Sequence, residues 1–237
     1  MASNSETGHA VNIANFKTMI DYCVSFGAEY QPSNPDLVLA TMTPQWSGAN
    51  EAHTTLSTAL ITAKTPIAER KTLFEPLDKL VTRTLGVYKS TKADKQLKSN
   101  AKTIGDRIRG AVKVKKEDNP DDVSVSHQSY VQKQDALQQL INLYNSDGHY
   151  APNEAELKVG ELQKLSDKMK GLNDNIGNIL APVKNALIKR DALLYKDETG
   201  MVDVAMNVKE YVKGLYGANA GETKMVRGLK FTRPKKK

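Results

Sequence analysis

A run of apolar residues at alternating steps of three and four restricts this chain more than any other feature: Leu162, Leu165, Met169, Leu172, Ile176, Ile179, Val183 and Ala186, continued in phase by Arg190 and Leu193. That spacing puts every member on one stripe of an α-helix, a coiled-coil-like seam that must be covered by other helices. Pro182 falls inside the run. It removes one backbone hydrogen bond and crowds the preceding turn, so the spacing predicts a kink without a change of phase. A single helix over 154–197 would be about 65 Å long at 1.5 Å per residue. The same phase runs from Met42 to Leu80 through Ala49, Ala52, Leu56, Ala59, Ala63, Arg70, Leu73 and Leu77, with Pro44, Pro66 and Pro76 as further kinks. Thr65 before Pro66 also reads as a break, which leaves one helix or two in that stretch.

The two segments match each other. At an offset of 120, Tyr30, Pro32, Leu37, Leu60, Lys64, Arg70 and Leu73 pair with Tyr150, Pro152, Leu157, Leu180, Lys184, Arg190 and Leu193. Upstream, a helix over Val11–Phe26 with Ile13, Phe16, Met19, Ile20, Cys23 and Val24 on one face, stopped by Gly27, has a counterpart in Leu137, Leu140, Ile141 and Gly148. Asn34, Pro35 and Asp36 form a helix start, an N-cap residue followed by a first-turn proline and an acid, and Pro152, Asn153 and Glu154 repeat it. Downstream, Ile104, Ile108 and Gly110 pair with Val208, Val212 and Gly214 at an offset of 104. The expected architecture is therefore an elongated all-α bundle of two tandem repeats with long kinked helices. The first repeat covers 1–112, including a basic helical extension over about 89–112. A charged linker (113–126), a second repeat (127–217) and a basic C-terminal tail (218–237) follow. The seam is alanine-rich in the first repeat and bulky in the second, so one repeat can fit the other, within a chain or between chains.

Charge is spread unevenly. The formal net charge of +7 comes from 34 Lys and Arg against 27 Asp and Glu, and residues 223–237 hold Lys224, Arg227, Lys230, Arg233, Lys235, Lys236 and Lys237 with no acid. The rest of the chain is formally neutral. A second basic feature lies in the extension of the first repeat, where Lys95, Lys98, Lys102, Arg109 and Lys113 form a stripe beside the apolar stripe Leu97, Ala101, Ile104, Ile108 and Val112. Five cations on one face can line up with phosphates, and a solvated lysine face has the same pattern. The single cysteine, Cys23, excludes an internal disulfide. No stretch has the 18 or so apolar residues of a membrane span, and the polar start MASNSETGHAVN lacks the features of a secretory signal, so a cytoplasmic setting is expected.

Catalytic chemistry finds no support in the residues. A carboxylate-bridged metal pair needs two inward Glu-x-x-His units; only His9 has a glutamate, Glu6, three residues before it, in a polar terminus. No His-Glu-x-x-His and no cysteine cluster occurs. The stretch GANAGETK (217–224) is glycine-rich but follows a helix expected over Met201–Leu215 and lacks P-loop spacing, so it reads as a helix end and connector. Cys23 lies on an apolar face, where a thiol is inert. Arg70 and Arg190 share a seam position in the two repeats, either as paired anion or partner-carboxylate sites or as arginines whose stems pack while their heads find an acid; the second reading is preferred, because no neighbour completes a ligand site. Tyr30 and Tyr150 are the matching paired aromatics.

Taken together, the stretches NIANFKTMIDYC, YQPSNPDL, AERKTLFEPLDKLVTRTLG, SHQSYVQKQ, LAPVKNALIKRDALLY, ETGMVDVA and LKFTRPK resemble an uncharacterised family of duplicated helical proteins from Bacteroidota-type bacteria, over nearly the whole chain. The resemblance implies an all-helical cytoplasmic protein and transfers no activity, cofactor or site. The expectation is a non-enzymatic structural or assembly protein without a cofactor. Its partner would be itself, as a homo-oligomer or filament, or another protein, with the basic tail docking a neighbour's acids. The alternative is a nucleic-acid-associated protein that uses the tail and the lysine-rich helix face.

Overall fold

The computed structural model describes residues 8–111 and 128–234, and among them every regular element is helical. In chain order these are α1 (His9–Ser25), α2 (Leu39–Phe74), α3 (Leu77–Ser90), α4 (Lys95–Arg109), α5 (Tyr130–Asp147), α6 (Val159–Tyr195), α7 (Met201–Tyr216) and α8 (Gly221–Gly228). The all-α class is thus established. The elements divide into two compact units, one made of Met1–Ala63 with Leu180–Lys237, the other of Lys64–Ile179.

In the first unit, α1 buries Ile13, Phe16, Met19, Ile20 and Cys23 against Val204, Ala205, Val208 and Val212 of α7 and Val226 of α8. Gly27 ends the α1 region at φ 61°, a left-handed conformation that only glycine adopts without strain. Asn34 then opens the 3-10 turn Pro35–Leu37, its side-chain oxygen accepting from Asp36 N at 3.0 Å. The alanine part of the seam is used here: Ala49, Ala52, Leu56 and Ala63 are buried, and Gly48 approaches Leu193. The small volume of these positions, which permits a fit between chains, is therefore taken up inside one chain.

The C-terminal region departs from a simple tail. Residues 221–228 form α8, with Thr223 and Val226 buried and the Thr223 hydroxyl donating to Gly217 O at 2.8 Å. Leu229–Pro234 then lie extended over the unit. The buried Asn12 amide donates to Thr232 O at 2.8 Å and accepts from Thr232 N at 3.0 Å, taking the role a neighbouring strand would have. Asn15 donates to Lys230 O at 2.7 Å, and Lys209 donates to Leu229 O at 2.5 Å while lying over the Phe231 ring.

In the second unit α2 does not break at Pro66. The carbonyl that this proline leaves without a donor belongs to Thr62, an exposed position where water can replace the missing bond; Pro182 in α6 likewise frees the carbonyl of exposed Asn178. The interruption comes instead at Glu75–Pro76, and α3 begins there because Leu77 must enter the core. Accordingly the expected 42–80 segment is two helices, and the expected extension over 89–112 starts at Lys95 after a turn. Ser129 caps α5 and Gly148 ends it at φ 69°. The core is aromatic: Tyr144 and Tyr150 stack with centroids 3.9 Å apart, and Tyr88 packs on both. Their hydroxyls are all engaged, with Asp147, Thr84 Oγ1 and Leu157 O, as burial of so polar a group requires.

Candidate functional site

The α3–α4 hairpin carries a marked excess of positive charge. Between residues 77 and 111 stand nine Lys or Arg and three Asp, a formal +6 that acids elsewhere in the sequence cancel when the body is counted as a whole. The hairpin is tight because of Gly105: a Cβ there would come within 2.5 Å of Leu85 Cδ1 and 3.2 Å of Val81 Cγ1. Asp94 starts α4, accepting from Gln96 N at 2.6 Å, and Gly110 ends it in the left-handed region. Ala101, Gly105 and Ile108 are buried, with Leu97 and Ile104 half-buried, as the apolar stripe requires; Val112 lies outside the described residues.

This close packing makes a concavity of about 470 Å³ with Leu85 and Gly86 on its lining and Lys89, Lys95, Lys98, Lys102 and Arg109 around it. Four of the five predicted cations are thus brought together, and Lys113 lies outside the described residues. Lys89 is an addition, because it belongs to α3 and helical periodicity within α4 carries no information about it. One carboxylate enters the cluster. Asp106 accepts from Lys102 Nζ at 2.6 Å and from Arg109 Nη2 at 2.5 Å, and the Lys102 bond, followed by the Arg109 one, holds its carboxyl below the usual range against the opposing effect of burial. Arg109 also donates to Thr82 Oγ1 at 3.2 Å, while its buried Nε has no partner. Lys98 donates to Thr91 O at 2.7 Å. Lys89 and Lys95 are exposed, and no ion pair ties either to a described acid. The arrangement gathers positive charge on one concavity, with Lys102 and Arg109 paired to Asp106 and Lys89 and Lys95 left outside that pairing.

The tail cations fall differently. Arg233 is tied to its own unit, with Asp203 at 2.5 Å, Asp197 at 3.4 Å and Tyr195 O at 3.1 Å. The expected docking of tail cations on acids is therefore met, for Arg233, inside the chain. Arg227 and Lys230 are on the first unit, and Lys235, Lys236 and Lys237 lie outside the described residues. Tail and hairpin belong to different units.

The paired arginines are internal. Arg70 donates from Nε to Asn173 Oδ1 at 2.8 Å and lies 4.4 Å from the Tyr130 ring centroid. Arg190 is buried and bonds to Asp191 at 2.6 Å. Tyr30 and Tyr150 donate to Leu37 O and Leu157 O at 2.8 and 2.9 Å. Cys23 is fully buried, and burial pushes its thiol up to about 11, far from reactive. Among the described residues no group of three His, Cys, Asp or Glu is placed to hold a metal, and no helix is long and apolar enough to cross a membrane. Comparison of the chain with protein-family models, with curated proteins and with solved structures gave no match.

Proposed function

We propose that the protein is a non-enzymatic docking protein of the cytoplasm whose working surface is the α3–α4 hairpin and whose partner there is a nucleic-acid backbone. The observation that carries this reading is the convergence of five cations on one concavity in a hairpin of formal charge +6. Along α4, Lys95, Lys98, Lys102 and Arg109 span 15 residues, about 21 Å from first to last at 1.5 Å per residue. That length takes several successive phosphates of one strand. Binding of this kind is driven by release of counterions and weakens steeply with salt.

The test is titration of single- and double-stranded oligonucleotides at several salt concentrations. Lys89→Glu with Lys95→Glu removes two exposed cations and leaves the core untouched. The expected result is a salt slope reduced by about 2, roughly one for each phosphate no longer neutralised. Binding that ignores both salt and these substitutions would remove the hairpin from any role in it. Self-association through helical surfaces is the second reading, favoured by Leu60, Ile61 and Ile188, which the first unit leaves 51%, 72% and 69% exposed. Sedimentation over a wide concentration range decides it, a strictly monomeric protein excluding assembly.

A further inference from the structure

We infer that the chain is a duplicated pair of halves that exchange their closing helices, so that each compact unit begins with one half and is completed by the other. The exchange is independent of what the hairpin binds. The first unit joins α1 and the start of α2 to α7 and α8; the second joins α5 and the start of α6 to α3 and α4. With α1 matched to α5, α3 to α7 and α4 to α8, the packing of one unit becomes the packing of the other. α7 lies on the 3-10 turn Pro35–Leu37 as α3 lies on the 3-10 turn Ala155–Leu157; α8 packs on α1 as α4 packs on α5; and each closing pair, α3 with α4 and α7 with α8, packs on itself.

Side chains follow the same correspondence. The buried positions of α3, Leu77, Val81, Thr84 and Tyr88, recur in α7 as Met201, Ala205, Val208 and Val212, all at an offset of 124. Those of α1, Phe16, Met19, Ile20 and Cys23, recur in α5 as Leu137, Leu140, Ile141 and Tyr144, all at 121. Tyr30 meets the Tyr211 ring edge-on at 5.4 Å, and Tyr150 meets the Tyr88 ring edge-on at 6.2 Å, although these partner rings stand one position apart, since Tyr211 matches Val87 and Tyr88 matches Val212. The arginines are the most telling. Arg70, from the first half, rests on Tyr130 and Asn173 of the second. Arg190, from the second half, acts electrostatically on His9, which is in turn coupled to His53, and these are the first-half positions equivalent to 130 and 173. The Arg70 contacts cross the halves directly, whereas Arg190 bonds to Asp191 of its own half and reaches His9 only through its charge. On this plan the partner of α7 is α3, and the pairing of Ile104 and Ile108 with Val208 and Val212 at an offset of 104 is replaced.

Two copies lying side by side would put α1 against α3 and α5 against α7, and the arrangement is distinguishable by which halves touch. The experiment uses the full chain carrying a protease recognition sequence within 113–126, cut after folding. The two fragments are expected to sediment as one particle with a 1:1 composition and to separate only in denaturant. Carbodiimide treatment of the cut protein should join them through Asp78 and Lys133, which lie 3.3 Å apart in the second unit but come from different halves. A matching tie in the first unit is Gln45→Cys with Thr199→Cys bridged by a short bismaleimide, since Gln45 donates to Thr199 O at 2.8 Å. Should the cut variant not fold, the Asp78–Lys133 coupling is read on the unaltered chain by peptide mapping. Fragments that part without denaturant, or coupling of Asp78 and Lys133 only to groups of their own halves, would overturn the exchange.

Discussion

The two arginine sites hold the same residue in different company. In the second unit Arg70 has a ring beneath it and an amide oxygen in front. In the first unit Arg190 shares its surroundings with His9 and His53, and its bonded acid is the adjacent Asp191, whose side chain is about half exposed. One site is completed by an aromatic face and an amide, while the other, the conditional one, stands near the His9 imidazole. The cores differ too: Tyr88 and Tyr144 of the second unit stand where the first has Val212 and Cys23, while Tyr150 is matched by Tyr30. A common helical plan thus tolerates large differences in what fills it, provided each filling is consistent with its own neighbours.

The largest effect should come from moving one unit's core into the other. Tyr144→Cys installs the first unit's residue in the second unit and removes a ring that stacks on Tyr150, so a loss of about 3–5 kcal/mol is expected from the cavity. The Thr84 hydroxyl keeps its bond to Val81 O, so no additional polar penalty arises. The reverse change, Cys23→Tyr, forces a ring into a fully buried site and should cost about 1–3 kcal/mol by overpacking. Denaturant unfolding reads both. Near-neutral outcomes for the pair would mean that the cores are interchangeable and that the contrast between them has no energetic content.

A smaller effect is expected where only the first unit has a feature to lose. Asn12→Leu deletes the amide that pairs with both backbone groups of Thr232, leaving them without their protein partner at a cost of about 1–3 kcal/mol. The loss should appear as faster hydrogen exchange at Thr232 and faster proteolysis after α8, with the second unit unchanged. Unaltered protection at Thr232 would show that Lys209 and Arg233 suffice to hold the segment.

How much of this is legible in the sequence depends on what periodicity reports. A seam such as Leu162 to Leu193 states which face of a helix is covered, and its helix is there over Val159–Tyr195. It does not state which helix covers it, so the division of α2 and α6 between two units leaves no trace in the spacing. The closing helices mislead for a related reason. α4 and α7 both are amphipathic with a glycine near the end, whereas α3 hides Thr84 and Tyr88, residues that look like surface until Tyr144 is beside them. α8 escapes notice because Gly221–Gly228 holds only Thr223 and Val226 as buried groups, too few for a pattern, and stands by tertiary packing. At the hairpin, the stripe of α4 predicts four of the five cations; the fifth requires the neighbouring helix.

The smallest and most selective effect concerns pH, and it follows from the conditional arginine site. His9 accepts from or donates to Tyr195 OH at 2.7 Å, near Asn12 of its own helix, with Arg190 and Asp191 on α6, His53 on α2, and Arg233 with its partners Asp197 and Asp203 on the C-terminal side. Burial, and after it the Arg190 charge, hold the His9 imidazole below its ordinary value, outweighing Asp191. A histidine that resists protonation when folded binds fewer protons than the unfolded chain, so its contribution is complete above the unfolded value of about 6.5 and is lost as pH falls towards the lower folded value. The first unit should therefore weaken between pH 7 and pH 5. The second has no histidine at Arg70: its described histidine, His149, is exposed beside Asp147 at 3.3 Å, and Asp106, held below the usual carboxylate range, stays ionised. Exchange protection, corrected for intrinsic rates, should fall at Asn12 and Thr232 and hold at Leu140 and Ile141. His9→Tyr with His53→Asn, the residues the second unit uses, should abolish the difference. Parallel loss in both units, or persistence of the loss in that variant, would place the pH response elsewhere.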